Sequence, residues 1–250
     1  VGVLLRTDRG AQYGFLDEVE QSTDNLKPLP YDKVGDKARW LPGQLRFTYI
    51  GRMDAGGEST RQVVLVDARD DTSQVVSDPA VRRNYTTATP FRAPEYRDEV
   101  LIAATAEHEI AIYRDLGGEH WEEIKVLTSP DPELRYLDGV EVIEGDGADS
   151  PYVGCMPWQT AYITAWAKDD LVFPTETGVF LWSLDGTYAQ RIDTGNEKGA
   201  GHYDPEIVVT RDASSGQESL FVHFTSRDPG NPLRQVNVGQ TGLRWPSCAP

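Results

Sequence analysis

Acids and one imidazole crowd the segment Gly199-Ala-Gly-His202-Tyr-Asp204-Pro-Glu206. If it is a strand, alternation puts His202, Asp204 and Glu206 on one face. Such a set can share proton-transfer work, or hold a divalent cation such as calcium through His202 and Asp204. The glycines before it let a ligand or another backbone approach closely. The blander reading has Asp204 capping a turn and Glu206 paired with an arginine of a neighbouring sheet. Glu95 stands in a similar segment, Phe91-Arg-Ala-Pro-Glu95-Tyr96, where Arg92 can neutralise it or bind an anionic substrate. Asp138 and Glu141 open the segment Tyr136-Leu-Asp-Gly-Val-Glu141, and Arg39 opens Arg39-Trp-Leu-Pro-Gly. Carboxylates at different depths acquire separated pKa values, so one site obtains both an acid and a base. Ion pairs between sheets are the structural alternative. Glu176 and Asp17 read as exposed loop or turn acids, His108 and His120 as surface residues, and His223 as a packed core histidine.

These groups need elements to converge, and the chain supplies strands. Short runs rich in Val, Ile, Phe, Tyr and Thr are bounded by Gly, Pro, Asp and Asn, and no sustained helical stripe appears. The Phe91 and His202 segments lie about 110 residues apart and read as copies of one unit; the Arg39 segment is a third. Self-similarity at roughly 40–60 residues in an all-strand chain reads as propeller blades. Five units are expected: Gly2–Leu16, Lys37–Val76, Thr89–Leu127, a fourth from Tyr136 through Tyr188-Ala-Gln-Arg-Ile, and a fifth from His202 to Val238. A count of four is the alternative, because the first unit is poor. The N-terminal strand is expected to pair with the last blade, closing the ring and removing its edges. The fold class is thus an all-β propeller, one domain over 1–250, with polar residues of the inner strands facing a central channel.

The formal net charge of -16 argues against nucleic acid, which needs a basic face. No apolar run reaches the length of a membrane helix. There is no Gly-x-Ser-x-Gly elbow, phosphate loop, dinucleotide fingerprint or His-Glu-x-x-His, which argues against serine hydrolases, nucleotide-driven enzymes and dehydrogenases. Cys155 and Cys248 are either free thiols or one disulfide. If bonded, they close a long loop and pin the C-terminus, contributing roughly 4–5 kcal/mol. Asn84-Tyr-Thr86 is a glycosylation sequon, and a start at Val1 without Met fits a mature chain. Secretion as a monomer is the expectation. Pro157 and Trp158 read either as a rigid aromatic loop or as packing between blades.

The Ala93-Pro-Glu95 and Asp204-Pro-Glu206 steps, set among strand-rich units, resemble the five-bladed β-propeller glycoside hydrolases of the arabinanase and xylosidase-like group. In that group three acids at the inner ends of successive blades act as base, pKa modulator and acid. The resemblance implies glycosidic-bond cleavage in the channel, with an oligo- or polysaccharide as partner and no required cofactor. The first forty residues lack the Asp-Pro segment in which that group holds its base; Asp8 and Asp17 are the nearest substitutes. Glu206, Glu95, Asp204 and Asp138 are the catalytic candidates. His202, Tyr203, Arg92 and Arg39 are expected to hold substrate, and Trp40, Tyr96 and Tyr203 to stack on sugar faces. Three alternatives stay open: a uronate-cleaving polysaccharide lyase, a non-catalytic glycan- or protein-binding propeller, and a channel cation that only holds the ring together.

Overall fold

The computed structural model describes residues 2–7, 10–41, 44–55, 58–78, 80–81, 83–93, 96, 99–143, 161–193, 201–211, 214, 218–228, 230 and 232–237. Its described elements are almost entirely strands, in five antiparallel sheets. The first sheet holds β1 (Gly2–Thr7), β2 (Gly10–Phe15) and β3 (Lys27–Pro28). The second runs β4 (Asp32–Trp40), β5 (Arg46–Ala55), β6 (Glu58–Asp67) and β7 (Thr72–Val75). The third holds β8 (Thr87–Arg92), β9 (Val100–Ala106), β10 (Glu109–Asp115) and β11 (Trp121–Thr128). The fourth holds β12 (Tyr136–Ile143), β13 (Tyr162–Lys168), β14 (Thr177–Ser183) and β15 (Ala189–Arg191). The fifth holds β16 (His202–Arg211), β17 (Glu218–Ser226) and β18 (Leu233–Asn237). Each strand pairs with the next in sequence, so the sheets are meanders laid down in chain order. The architecture is propeller-like.

Strand alternation explains how the sheets stack. In β9, Leu101 and Ala103 pack with the fourth sheet, while Ile102 and Ala104 pack back toward the second. In β6, Val63 and Leu65 face the third sheet, while Val64 and Val66 face the first. In β14, Phe180 and Trp182 face the third sheet, while Val179 and Leu181 face the fifth. Central strands are therefore apolar on both sides, and β14 is buried throughout. This is the pattern of a sheet covered on both faces. Burying each such side chain contributes about 1.5–3 kcal/mol. The result is one apolar layer between each consecutive pair of sheets. Threonines add polar ties across these layers. Thr48 Oγ1 donates to Ala88 O at 2.9 Å, Thr89 Oγ1 donates to Val140 O at 2.7 Å, and Thr177 Oγ1 accepts the His202 N–H at 2.5 Å.

Among the described residues β1 pairs with β2 and β18 with β17, and the expected pairing of the N-terminal strand with the last sheet is not among the pairings seen. Phe91 and Arg92 end the inner strand β8, and Asp204-Pro-Glu206 lies inside the inner strand β16. Glu95, Cys155, Cys248, Pro157, Trp158 and Asp8 lie outside the described residues.

Candidate functional site

Three inner strands shift register, each just before a charged residue. In β4 the shift lies between Val34 and Arg39, in β12 between Asp138 and Glu141, and in β16 between Tyr203 and Glu206. A bulge bends its strand and re-aims the following side chain. In two cases a left-handed residue makes the bend: Gly139 at φ 65° and Asp204 at φ 51°, each two positions before its glutamate. Asp138 supports the first, its Oδ1 accepting the Gly139 N–H at 2.8 Å.

The bulges bring Arg39, Glu141 and Glu206 together, with Lys37 beside them. One terminal nitrogen of Arg39 donates to Glu141 Oε1 and, at 2.9 Å, to Glu206 Oε1. Lys37 Nζ lies 3.1 Å from Glu206 Oε1 and 3.5 Å from Glu141 Oε1. The two carboxylates differ in surroundings. The Glu141 side chain is 12% exposed and that of Glu206 50%. Burial pushes the Glu141 carboxyl above its ordinary range; Arg39 and Lys37 pull it down, Glu206 pushes it further up, and the balance is upward. For Arg39, burial works against the charge, but the two glutamates outweigh it and hold the guanidinium protonated above its ordinary value. Arg39 Nε is buried without a hydrogen-bond partner. An unmet donor of this kind costs about 1–3 kcal/mol until a ligand or water satisfies it.

His202, Asp204 and Glu206 do not share a face, because the bulge interrupts the alternation between them. His202 is buried against Phe224, with its ring centroid 4.7 Å from the phenyl ring. Its Nδ1 lies 2.8 Å from Asp193 Oδ2, and the other oxygen of Asp193 takes Arg191 Nε, also at 2.8 Å. Arg191 in turn reaches Glu176 Oε1 at 3.2 Å, so Glu176 belongs to an ion-pair network. His202 therefore belongs to this buried structural network, and Asp204 stands exposed in the bulge. Alternation pairs the two as cation ligands; in the structure the His202 Nδ1 faces Asp193. Among the described residues no three His, Cys, Asp or Glu side chains gather as a metal site. Between Glu141 and Glu206 the positive charge comes from Arg39 and Lys37.

The aromatic expectations fare unevenly. The Trp40 ring lies 4.8 Å from Phe47 and covers Gly2 so closely that an added Cβ there would fall 2.4 Å from it. It fills the layer between the first two sheets and is no platform for sugar. Tyr96 packs against the core beneath Arg114, whose Cζ is 5.7 Å from the ring. Arg92 ends β8, opposite Val100. Tyr203 meets Trp166 edge-on at 6.2 Å and lies under Arg227 at 5.9 Å, next to the β16 bulge. His223, expected in the core, is half-buried and faces Glu206 across the β16–β17 ladder. Sequence reasoning missed Lys37 as a site residue. It also gave Glu141 no place among the leading acids, although the pattern of a turn former two residues before a glutamate is shared by Asp138-Gly-Val-Glu141 and Tyr203-Asp-Pro-Glu206.

No protein-family model matches the chain. No curated protein matches it either. Among solved structures it is similar to the fructofuranosidase from Schwanniomyces occidentalis complexed with fructose, at 12% identity over 77% of this chain and 39% of that one, with a TM-score of 0.41. It is similar to an ancestral GH74 enzyme at 17% identity over 94% of this chain and 31% of that one, with a TM-score of 0.49. A third is the α-L-arabinofuranosidase PaAbf62A from Podospora anserina in complex with cellotriose, at 10% identity over 85% of this chain and 66% of that one, with a TM-score of 0.42. All three are propeller-type glycoside hydrolases, the kind of protein the sequence weakly resembles. The chain spans less than two thirds of each. With TM-scores under 0.5, these likenesses carry no argument about function, which rests on the geometry above.

Proposed function

We propose that the chain is a secreted propeller enzyme of five blades that hydrolyses glycosidic bonds where β4, β12 and β16 meet. The observation that supports this is the glutamate pair. Two similar bulges deliver two carboxylates to one guanidinium, one buried with a raised pKa and one open. Glycosidases need two carboxyl groups in different roles, one of which gives a proton to the leaving oxygen. Glu141 is the proton donor in this reading and Glu206 the nucleophile. Both Oε1 atoms contact the same Arg39 nitrogen, the farther at 2.9 Å, so they lie closer together than twice that distance. This suits the retaining spacing of about 5–5.5 Å better than the inverting spacing of about 6.5–9.5 Å. Glu206 attacks the anomeric carbon as Glu141 protonates the leaving oxygen. Water, deprotonated by Glu141, then releases the sugar from Glu206. Arg39 positions both carboxylates, and its free Nε is a donor for a substrate hydroxyl. The exposed Asn84 of the glycosylation sequon supports the secreted reading.

The test is digestion of polysaccharides with and without uronic acids, read by mass spectrometry, for wild type, Glu206→Gln and Glu141→Gln. Products heavier by one water are expected, with rates falling about 10²–10⁴-fold in each variant. Unsaturated products would instead make Lys37 and Arg39 the neutralisers of a uronate carboxylate in a lyase. No cleavage of any polysaccharide would leave a binding module as the better account.

A further inference from the structure

A second concavity lies away from the glutamate pair, at the outer edge of the second and third sheets. It is a cleft of about 480 Å³ whose lining includes Val76, Val81, Arg83, Tyr113, Trp121 and Glu123. From the geometry we infer a second carbohydrate site here, one that binds a neutral saccharide without cleaving it.

The volume lies within the roughly 300–1,000 Å³ of small-molecule sites. Trp121 is half-buried, and its indole N–H is bound to Gln74 Oε1 at 3.0 Å. The ring is thereby fixed, its one donor is in use, and the rest of it is apolar surface. Aromatic surface of this kind suits the C–H face of a pyranose. Arg83 provides the polar side. Its Nε pairs with Glu109, its two terminal nitrogens meet Glu123, one of them at 3.3 Å, and Nη1 lies 3.4 Å from Tyr113 Oη. The guanidinium is charge-neutralised and held in place, and the carboxylates around it are acceptors for the hydroxyls of a neutral sugar. Asp78, Glu119 and Glu123 also line the cleft. That surplus of negative charge disfavours phosphates and uronates.

The tight turn before Trp121 holds the cleft wall in place. Its central residues Gly118 and Glu119 both adopt positive φ, at 62° and 67°, the geometry hairpin pairing favours. The His120 N–H closes it on Gly117 O at 3.2 Å, which sets His120 and Trp121 on the lining of the cleft.

The test is titration of Glu206→Gln protein, which cannot consume its ligand in the proposed mechanism, with neutral xylo-, arabino-, gluco- and galacto-oligosaccharides and with a uronate oligomer. Calorimetry would count the sites. The inference expects a neutral sugar to occupy a site that Trp121→Ala weakens at least tenfold and that Val81→Arg, placed at an exposed position, blocks without unfolding the chain. In the wild-type background both variants should keep their turnover of short soluble substrates, so the inference fails separately from the catalytic reading. Neutral-sugar binding unchanged in Val81→Arg and Trp121→Ala, preference for the uronate at this cleft, or no binding of any neutral sugar would each overturn it.

Discussion

In β12 the left-handed residue before the glutamate is Gly139, pressed beneath Trp166; in β16 it is Asp204, standing in solvent. The two bulges make the same bend and deliver the same side chain two residues later. Their surroundings differ. β12 packs against β8 and β9 on one side and β16 on the other, while the end of Glu206 remains half open. The burial of the first carboxylate raises its affinity for a proton. One backbone device, used twice at different depths, thus yields two chemically distinct glutamates. Their difference comes from packing rather than from residue type.

The largest expected effect comes from removing the glycine. A Cβ at residue 139 would lie 2.7 Å from Trp166 Cδ1 and 2.8 Å from Nε1, at a φ that side chains rarely adopt. Gly139→Ala should cost about 1–3 kcal/mol through backbone conformation and a similar amount through overpacking. Glu141 would also be re-aimed, and displacements near 1 Å can cost about 10²-fold in rate. Urea unfolding alongside turnover per folded molecule would measure both. A variant with unchanged stability would show that the bend does not depend on glycine.

A smaller effect concerns protonation. The Glu141 pKa is raised in the folded chain above the ordinary value of 4.5. The folded state therefore binds this proton more tightly than the unfolded state does. The stability it contributes is full below pH 4.5 and is lost as pH rises through the folded value. Glu141→Gln should remove that downward slope, so the variant gains on wild type as pH rises toward neutrality. If Glu141 is the acid, wild-type kcat/KM falls over the same rise in pH, and the variant's residual rate lacks that limb. Parallel stability curves for the two proteins between pH 4 and 7 would contradict the raised value.

Much of the fold was legible in the chain. Runs such as Val63-Val-Leu-Val66 and Leu101-Ile-Ala-Ala104 leave no polar face, as a strand between two sheets requires. The units read from the sequence match the sheets in order. The site was legible only in part. Arg39, Asp138, Glu141 and Glu206 were visible as charges on inner strands, but alternation put His202, Asp204 and Glu206 on one face, and the β16 bulge interrupts it. His202 was misplaced for that reason. Its partner, Asp193, lies just after β15 in the connection that precedes its own strand, where no spacing rule points to it.

Asp204 gives the smallest effect and the sharpest discrimination. It was a candidate acid from sequence; in the structure its visible contribution is conformational, as the residue that must adopt φ 51°. Glycine there would relieve roughly 1 kcal/mol of left-handed cost, less for aspartate than for most side chains. The more flexible unfolded chain would take back about 0.4–1 kcal/mol. Asp204→Gly should therefore leave stability within about 0.5 kcal/mol of wild type and keep Glu206 aimed at Arg39. Because glycine preserves the bend, any loss of turnover reports the carboxylate itself. Rates within about threefold of wild type are expected if Glu141 and Glu206 form the working pair. A loss on the order of the 10²–10⁴-fold associated with general acid–base groups would move Asp204 into the reaction and make the β16 bulge, like the glutamate that follows it, part of the chemistry.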